Sequence, residues 1–253
     1  MDQSDERNYL PAEREYFTKI EAFFAKSSDT YIERVNAFTR FVPRQALAYF
    51  LVRSEIFLRV LQLHGSILDF GVFRGSSFFT WLQLSSIYEP YNHVRRIVGF
   101  DTFSGFSSSA ADDFKAGPDF HLKRTGQMSF PGGTDELLEG VALLDSNRPL
   151  GHVPRAHVIA GTLPNSCEEY LDAHPETVVA LANFGLGLRE PTLGTLQQIK
   201  PRLQRGAILV FEEIDQAMWP GETQALFEIF RPESISLRRN PICPQLSWLE
   251  YEP

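Results

Sequence analysis

The sequence predicts an α/β fold: a doubly wound, mostly parallel seven-stranded sheet preceded by an N-terminal helical cap and finished by an antiparallel C-terminal edge. Three observations predict it. Five short apolar, β-branched runs alternate with segments of helical character, the chain upstream of them is helical alone, and the last two strand candidates follow each other without a helix between.

Apolar residues recur at helical spacing from Ala12 to Ala25 and from Ala46 to Leu63, as in Tyr49, Val52, Ile56, Val60 and Leu63. They define a cap over residues 1–64, ahead of a main domain over 65–253. In that domain the runs Ser66–Phe70, Arg96–Phe100, His157–Ala160, Thr177–Leu181 and Ala207–Phe211 read as buried parallel strands. Helical segments Ser76–Ile87, Thr134–Leu144, Ser166–His174 and Pro191–Leu203 lie between them. Two further strand candidates, Ser234–Arg238 and Leu246–Tyr251, flank a proline-rich turn. One polar, glycine-rich stretch, Ser104–Gly133, has no period; a length of this kind inside a compact domain is expected to be a lid over a site, with a disordered insertion as the alternative.

Composition narrows the function. The chain has 253 residues, 43% hydrophobic and 22% charged, and a formal net charge of −8. An acidic balance of that size excludes a mainly electrostatic nucleic-acid or anionic-membrane binder, which needs a surplus of Lys and Arg. Cys167 and Cys243 are too far apart in sequence for a disulfide framework or a zinc motif, and no apolar segment suits a secretory signal or a membrane span. A cytoplasmic protein is expected.

The strongest local signal is Asp69-Phe70-Gly71-Val72-Phe73-Arg74-Gly75, directly after a strand and before Ser76 and an amphipathic helix. Glycine at 71 and 75 lets the backbone turn and approach a ligand, and the helix start offers unpaired N–H groups to an anion. A dinucleotide site would need G-x-G-x-x-G; a single G-x-x-x-G behind an acid favours S-adenosylmethionine over NAD. A strand-to-helix turn without a ligand would use the same residues.

Asp101 ends the second strand in Phe100-Asp101-Thr102-Phe103, in the order that α/β nucleoside sites share. A carboxylate there accepts hydrogen bonds from both ribose hydroxyls, although an aspartate capping a turn would read alike.

Gly71-Val72-Phe73-Arg74-Gly75-Ser76 and Asp101-Thr102-Phe103-Ser104-Gly105-Phe106 resemble the paired motifs of the macrocin O-methyltransferase (TylF-like) family. Glu190-Pro191-Thr192, Pro201-Arg202-Leu203 and Trp219-Pro220-Gly221 agree, so the resemblance runs from about Phe38 to the C-terminus. It implies a Rossmann-like class I methyltransferase that methylates sugar hydroxyls in antibiotic biosynthesis. It also implies that Phe38-Thr39 folds over the methionine end of the cofactor and that Gly161-Thr162-Leu163 borders the adenine. Members of the family carry Asp-x-Asp after the fourth strand and Asp-Asp after the fifth, which hold a divalent cation and supply a base. This chain has Gly185-Leu186-Gly187 and Glu212-Glu213 instead. A hard cation such as magnesium needs oxygen ligands, so metal-independent transfer is expected.

Glu212 or Glu213 is then the first candidate for the general base and His121, on the expected lid, the second. Asp112-Asp113 suit sugar hydroxyls, with solvation of the loop as the alternative, and Lys115, Lys123 and Arg124 suit the diphosphate of a nucleotide sugar. Expected partners are a small-molecule nucleotide sugar or glycoside and, from the aromatic cluster Tyr16, Phe17, Phe23 and Phe24, further copies of the chain in a homo-oligomer. The rival readings are a non-catalytic nucleoside-binding subunit that lost its metal and base, and an NAD-linked oxidoreductase.

Overall fold

The structure, a computed structural model, describes residues 11–106 and 125–253, with side chains from Glu15 onward. The chain divides into two compact units inside a helix, one ending at Leu51 and the other spanning Val52–Pro253. In the first unit α1 (Pro11–Lys26) is followed by the short α2 (Tyr31–Asn36) and a 3-10 turn at Phe38–Arg40. Thr30 and Glu33 form a capping box that starts α2. Phe41 packs between Phe23 and Phe24, with ring centroids 5.6 and 5.3 Å away. The helix α3 (Arg44–Val60) carries the division, ahead of the end of the expected cap.

The second unit holds β1 (Ser66–Phe70), α4 (Ser76–Tyr88), β2 (Ile97–Asp101), α5 (Gly133–Asp145), β3 (Ala156–Ala160), α6 (Asn165–Ala173), β4 (Val179–Phe184), α7 (Arg189–Ile199), β5 (Leu203–Phe211), α8 (Gly221–Ile229), β6 (Arg238–Asn240) and β7 (Cys243–Glu250). The sheet order is β3-β2-β1-β4-β5-β7-β6; the first five strands are parallel and β7 runs antiparallel to both β5 and β6. The antiparallel edge is therefore as expected. Its outer strand is not: Pro232–Ser234 is a 3-10 turn, and the pairing begins only at Arg238. The helix α8 had no counterpart in the sequence reading.

Strand alternation sends side chains to opposite faces, and the sheet uses this at its carboxyl edge. Phe100, Phe70, Phe184 and Phe211 lie in register across β2, β1, β4 and β5, with ring centroids 5.0, 5.0 and 5.1 Å apart. All four are fully buried beside apolar residues of α6, α7 and α8. The residues one step back, Asp69 on β1 and Asn183 on β4, pair in register and face the other side. That side also receives α4, whose Phe78 lies against Gly99 of β2. A wall of phenylalanine thus closes one face, and the polar groups of the other converge at the strand ends.

Candidate active site

The glycine loop is tied to both neighbouring strands. Gly71 takes φ +89° and donates its N–H to Phe100 O at 2.9 Å; a Cβ on it would stand 2.3 Å from Gly185 O. Only glycine allows this approach of the β1 and β4 loops. Phe73 N–H donates to Asp101 Oδ2 at 2.7 Å, and Phe103 N–H to Oδ1 at 2.8 Å. Gly75 is the N-cap of α4, which Ser76 begins, and the Arg74 guanidinium lies 4.7 Å from the centre of the Phe130 ring. Each Asp101 oxygen keeps a lone pair for a further donor, and its side chain is half-buried. Burial raises its pKa, against the backbone N–H groups of Phe103, Phe73 and Thr102, which lower it.

Gly161 N–H donates to Asp101 O at 2.9 Å, and the turn through Thr162 leads into α6. The predicted residues Asp69, Gly71, Phe73, Arg74, Gly75, Ser76, Asp101, Thr102, Phe103, Gly161 and Thr162 therefore lie on the consecutive carboxyl ends of β1, β2 and β3. Thr39 lies in the 3-10 turn of the N-terminal unit. The expected lid is closed at its base, where Phe106 and Gly126–Gln127 exchange backbone hydrogen bonds and Phe130 N–H donates to Phe103 O. His121, Asp112, Asp113, Lys115, Lys123 and Arg124 lie outside the described residues.

Glu212 and Glu213 follow β5, and Glu212 belongs to a polar chain across the sheet. Asn183 Nδ2 donates to Asp69 Oδ1 at 2.7 Å and approaches Glu212 Oε1 at 3.2 Å, while Arg53 Nη2, from α3, donates to the same Oε1 at 2.7 Å. The side chains of Arg53 and Glu212 are 4% and 22% exposed. Glu213 offers its backbone N–H to Glu222 Oε2 at 3.0 Å. Glu222, in the first turn of α8 and fully buried, also accepts Leu186 N–H at 2.8 Å and Gly187 N–H at 3.0 Å on Oε1. One carboxylate thus joins the loops after β4 and β5. Burial pushes both Asp69 and Glu222 up to about 7; the neighbouring charge of Glu212 adds to the rise in each, and hydrogen bonds oppose it.

The sequence reading missed Arg53, Asn183 and Glu222. Arg53 lies four residues after Tyr49 and three before Ile56, on the buried stripe of α3, and Asn183 interrupts the apolar run of β4; both were visible as polar residues at core positions. Glu222 had no such signal, because an acid in the first turn of a helix is ordinarily a surface group favoured by the helix dipole.

The residues present do not fit a divalent cation. Gly185 and Gly187 bring no side-chain oxygen, and Gly187, at φ +64°, has the Trp219 ring 2.6 Å from where a Cβ would stand. Glu212 Oε1 is taken by Arg53 and Asn183, and Glu222 by three N–H groups. Among the described residues no group of three or more His, Cys, Asp or Glu is arranged as a ligand set. Among them, too, no helix is long and apolar enough to cross a membrane.

Comparison with models of protein families and with curated protein sequences gives no match. Solved structures do match. The crystal structure of the calicheamicin methyltransferase CalS11 superposes with a TM-score of 0.91 at 33% identity over 97% of this chain and 95% of that one. The apo structure of CalS11, a TDP-rhamnose 3′-O-methyltransferase, gives 0.83 at 30% identity over 97% and 96%. The O-methyltransferase NovP shares the fold, with a TM-score of 0.56 at 15% identity over 81% of this chain and 80% of that one. With that similarity extending over nearly the whole of both chains, this chain belongs to the TylF-like family of S-adenosylmethionine-dependent O-methyltransferases, together with CalS11.

Proposed function

We propose that the enzyme methylates a hydroxyl of a nucleotide-linked deoxysugar such as TDP-rhamnose, in natural-product biosynthesis. The observation that carries this reading is the 30% identity to a TDP-rhamnose 3′-O-methyltransferase over 96% or more of each chain. Bound S-adenosylmethionine supplies an electrophilic methyl on a sulfonium sulfur. The chain supplies position and a proton acceptor. Asp101 accepts hydrogen bonds from the ribose hydroxyls with its remaining lone pairs, and the glycine loop that ends at the start of α4 borders the amino-acid end beside Asp69. The Gly161–Thr162 turn borders the adenine and Thr39 is a further cofactor contact, as the resemblance implies.

Glu212 takes the proton of the acceptor hydroxyl as methyl transfer proceeds, with Glu213 and His121 as the alternatives to be separated by mutation. Holding the hydroxyl in line with the methyl supplies the larger part of the acceleration, since orientation replaces an encounter in solution. Lys115, Lys123 and Arg124 are assigned to the diphosphate.

The test is turnover with labelled S-adenosylmethionine on TDP-rhamnose and on free rhamnose. Methyl incorporation into the nucleotide sugar alone is expected. Preference for the free sugar or for a finished glycoside would overturn the nucleotide-sugar reading. S-adenosylhomocysteine binding without turnover on any sugar would point to the non-catalytic binding subunit.

A further inference from the structure

Around the ends of β1, β4 and β5 the structure gathers three carboxyl groups, Asp69, Glu212 and Glu222. Glu212 interacts with both of the others, and its charge raises the pKa of each. The Arg53 guanidinium stands among them: it bonds Glu212 directly and lowers the pKa of Asp69 through its charge. Glu212 itself fills the space beside the β4 loop, its carboxyl carbon 3.4 Å from where a Cβ of Gly185 would stand. A carboxylate, its counter-cation and an orienting amide are thus assembled from side chains where the family resemblance implies a metal site.

We propose that Arg53 is the resident cation of this active site, a positioning residue that holds the Glu212 carboxylate in place over Gly185 so that transfer proceeds without a divalent ion. Arginine suits the task because it stays charged when buried and its planar fork fixes the geometry of a carboxylate. Arg53 and Asn183 both engage Oε1, which fixes the carboxylate from one side. The proposal rests on the methyltransferase reading and on Glu212 as the base.

The experiment compares the wild type with Arg53→Met and Arg53→Lys, using TDP-rhamnose as acceptor in EDTA and in magnesium. Thermal melting and S-adenosylhomocysteine calorimetry report folding and the cofactor site. The wild type is expected to turn over equally in EDTA and in magnesium. Arg53→Met should lose 100-fold or more in kcat with cofactor affinity held within threefold, and Arg53→Lys should recover at least tenfold of that loss. Loss of wild-type turnover in EDTA with restoration by magnesium, or full kcat in Arg53→Met, would overturn the proposal.

A second arm needs no acceptor, so it still decides if the sugar assignment fails. Manganese is titrated into the enzyme with S-adenosylhomocysteine and followed by electron paramagnetic resonance. The wild type is expected to bind none at millimolar concentration, and a stoichiometric site that Glu212→Gln removes would overturn the proposal.

Discussion

Glu222→Gln separates two forces that act on one buried carboxyl. Burial holds the Glu222 pKa at about 7 against 4.5 for the free side chain, while three backbone N–H groups pull it down. Because the folded-state pKa is the higher, the group contributes its stability fully below about pH 4.5 and loses it as the pH rises through about 7. The loss amounts to about 3 kcal/mol, of which about 2–3 kcal/mol falls between pH 5 and 8.5. Glutamine has no titration to lose. Its carbonyl can keep the Leu186 and Gly187 N–H groups, but its NH2 then meets Glu213 N–H, two donors facing each other in place of a hydrogen bond, at about 1–3 kcal/mol. At pH 5 the variant should therefore be the less stable protein, melting a few degrees lower for a chain of this size. By pH 8.5 the deficit should vanish or reverse. Urea unfolding of both proteins across this range measures it, and Asp69 largely cancels because both carry it. A deficit that grows with pH would refute the reasoning, since it would mean that the three N–H bonds, and not burial, govern Glu222.

Two further substitutions probe the cofactor loops. Asp101→Asn replaces two acceptor oxygens by one, so either Phe73 N–H or Phe103 N–H loses its partner along with the ribose contact proposed for that oxygen. S-adenosylhomocysteine affinity should fall about 10- to 100-fold, equivalent to about 1–3 kcal/mol, and unchanged calorimetric affinity would remove Asp101 from the cofactor site. Gly71→Ala places a Cβ 2.3 Å from Gly185 O at a positive φ, so the β1 and β4 loops must separate. A loss of about 2–5 kcal/mol is expected from backbone strain and overpacking together, and a melting temperature equal to that of the wild type would contradict the packing described.

Sequence periodicity carried the sheet because the central parallel strands are buried and read as short apolar runs, Ile97–Phe100 and Ile208–Phe211 among them. It was weakest where burial is partial. Only three residues pair in β6, two of them exposed, so no apolar pattern marks its limits. The nine residues of α8 give too little length for a helical period to stand out. The glycine loop and Asp101 were legible because their chemistry is local: backbone turn, strand end and acid lie within a few residues. The polar chain was not, since Arg53 and Glu212 are 159 positions apart and Leu186 and Glu222 are 36 apart. Such contacts exist only once the strand order has placed β4 between β1 and β5.

The departure from the family at Gly185 and Gly187 and the burial of Arg53 have one electrostatic explanation. An aspartate at 185 would start its side chain 3.4 Å from the Glu212 carboxyl carbon, in a region where Asp69 and Glu222 are already pushed to about 7 by burial, with the charge of Glu212 adding to the rise. A further carboxylate there is tolerable only beside a compensating cation, which a metal ion provides and a single guanidinium already committed to Glu212 does not. At 187 the positive φ and the Trp219 ring leave no room for any side chain. In this chain glycine on the β4 loop, Glu212 after β5 and Arg53 on the buried stripe of α3 are therefore electrostatically complementary: the first adds no negative charge, the second fills the space beside Gly185, and the third balances it.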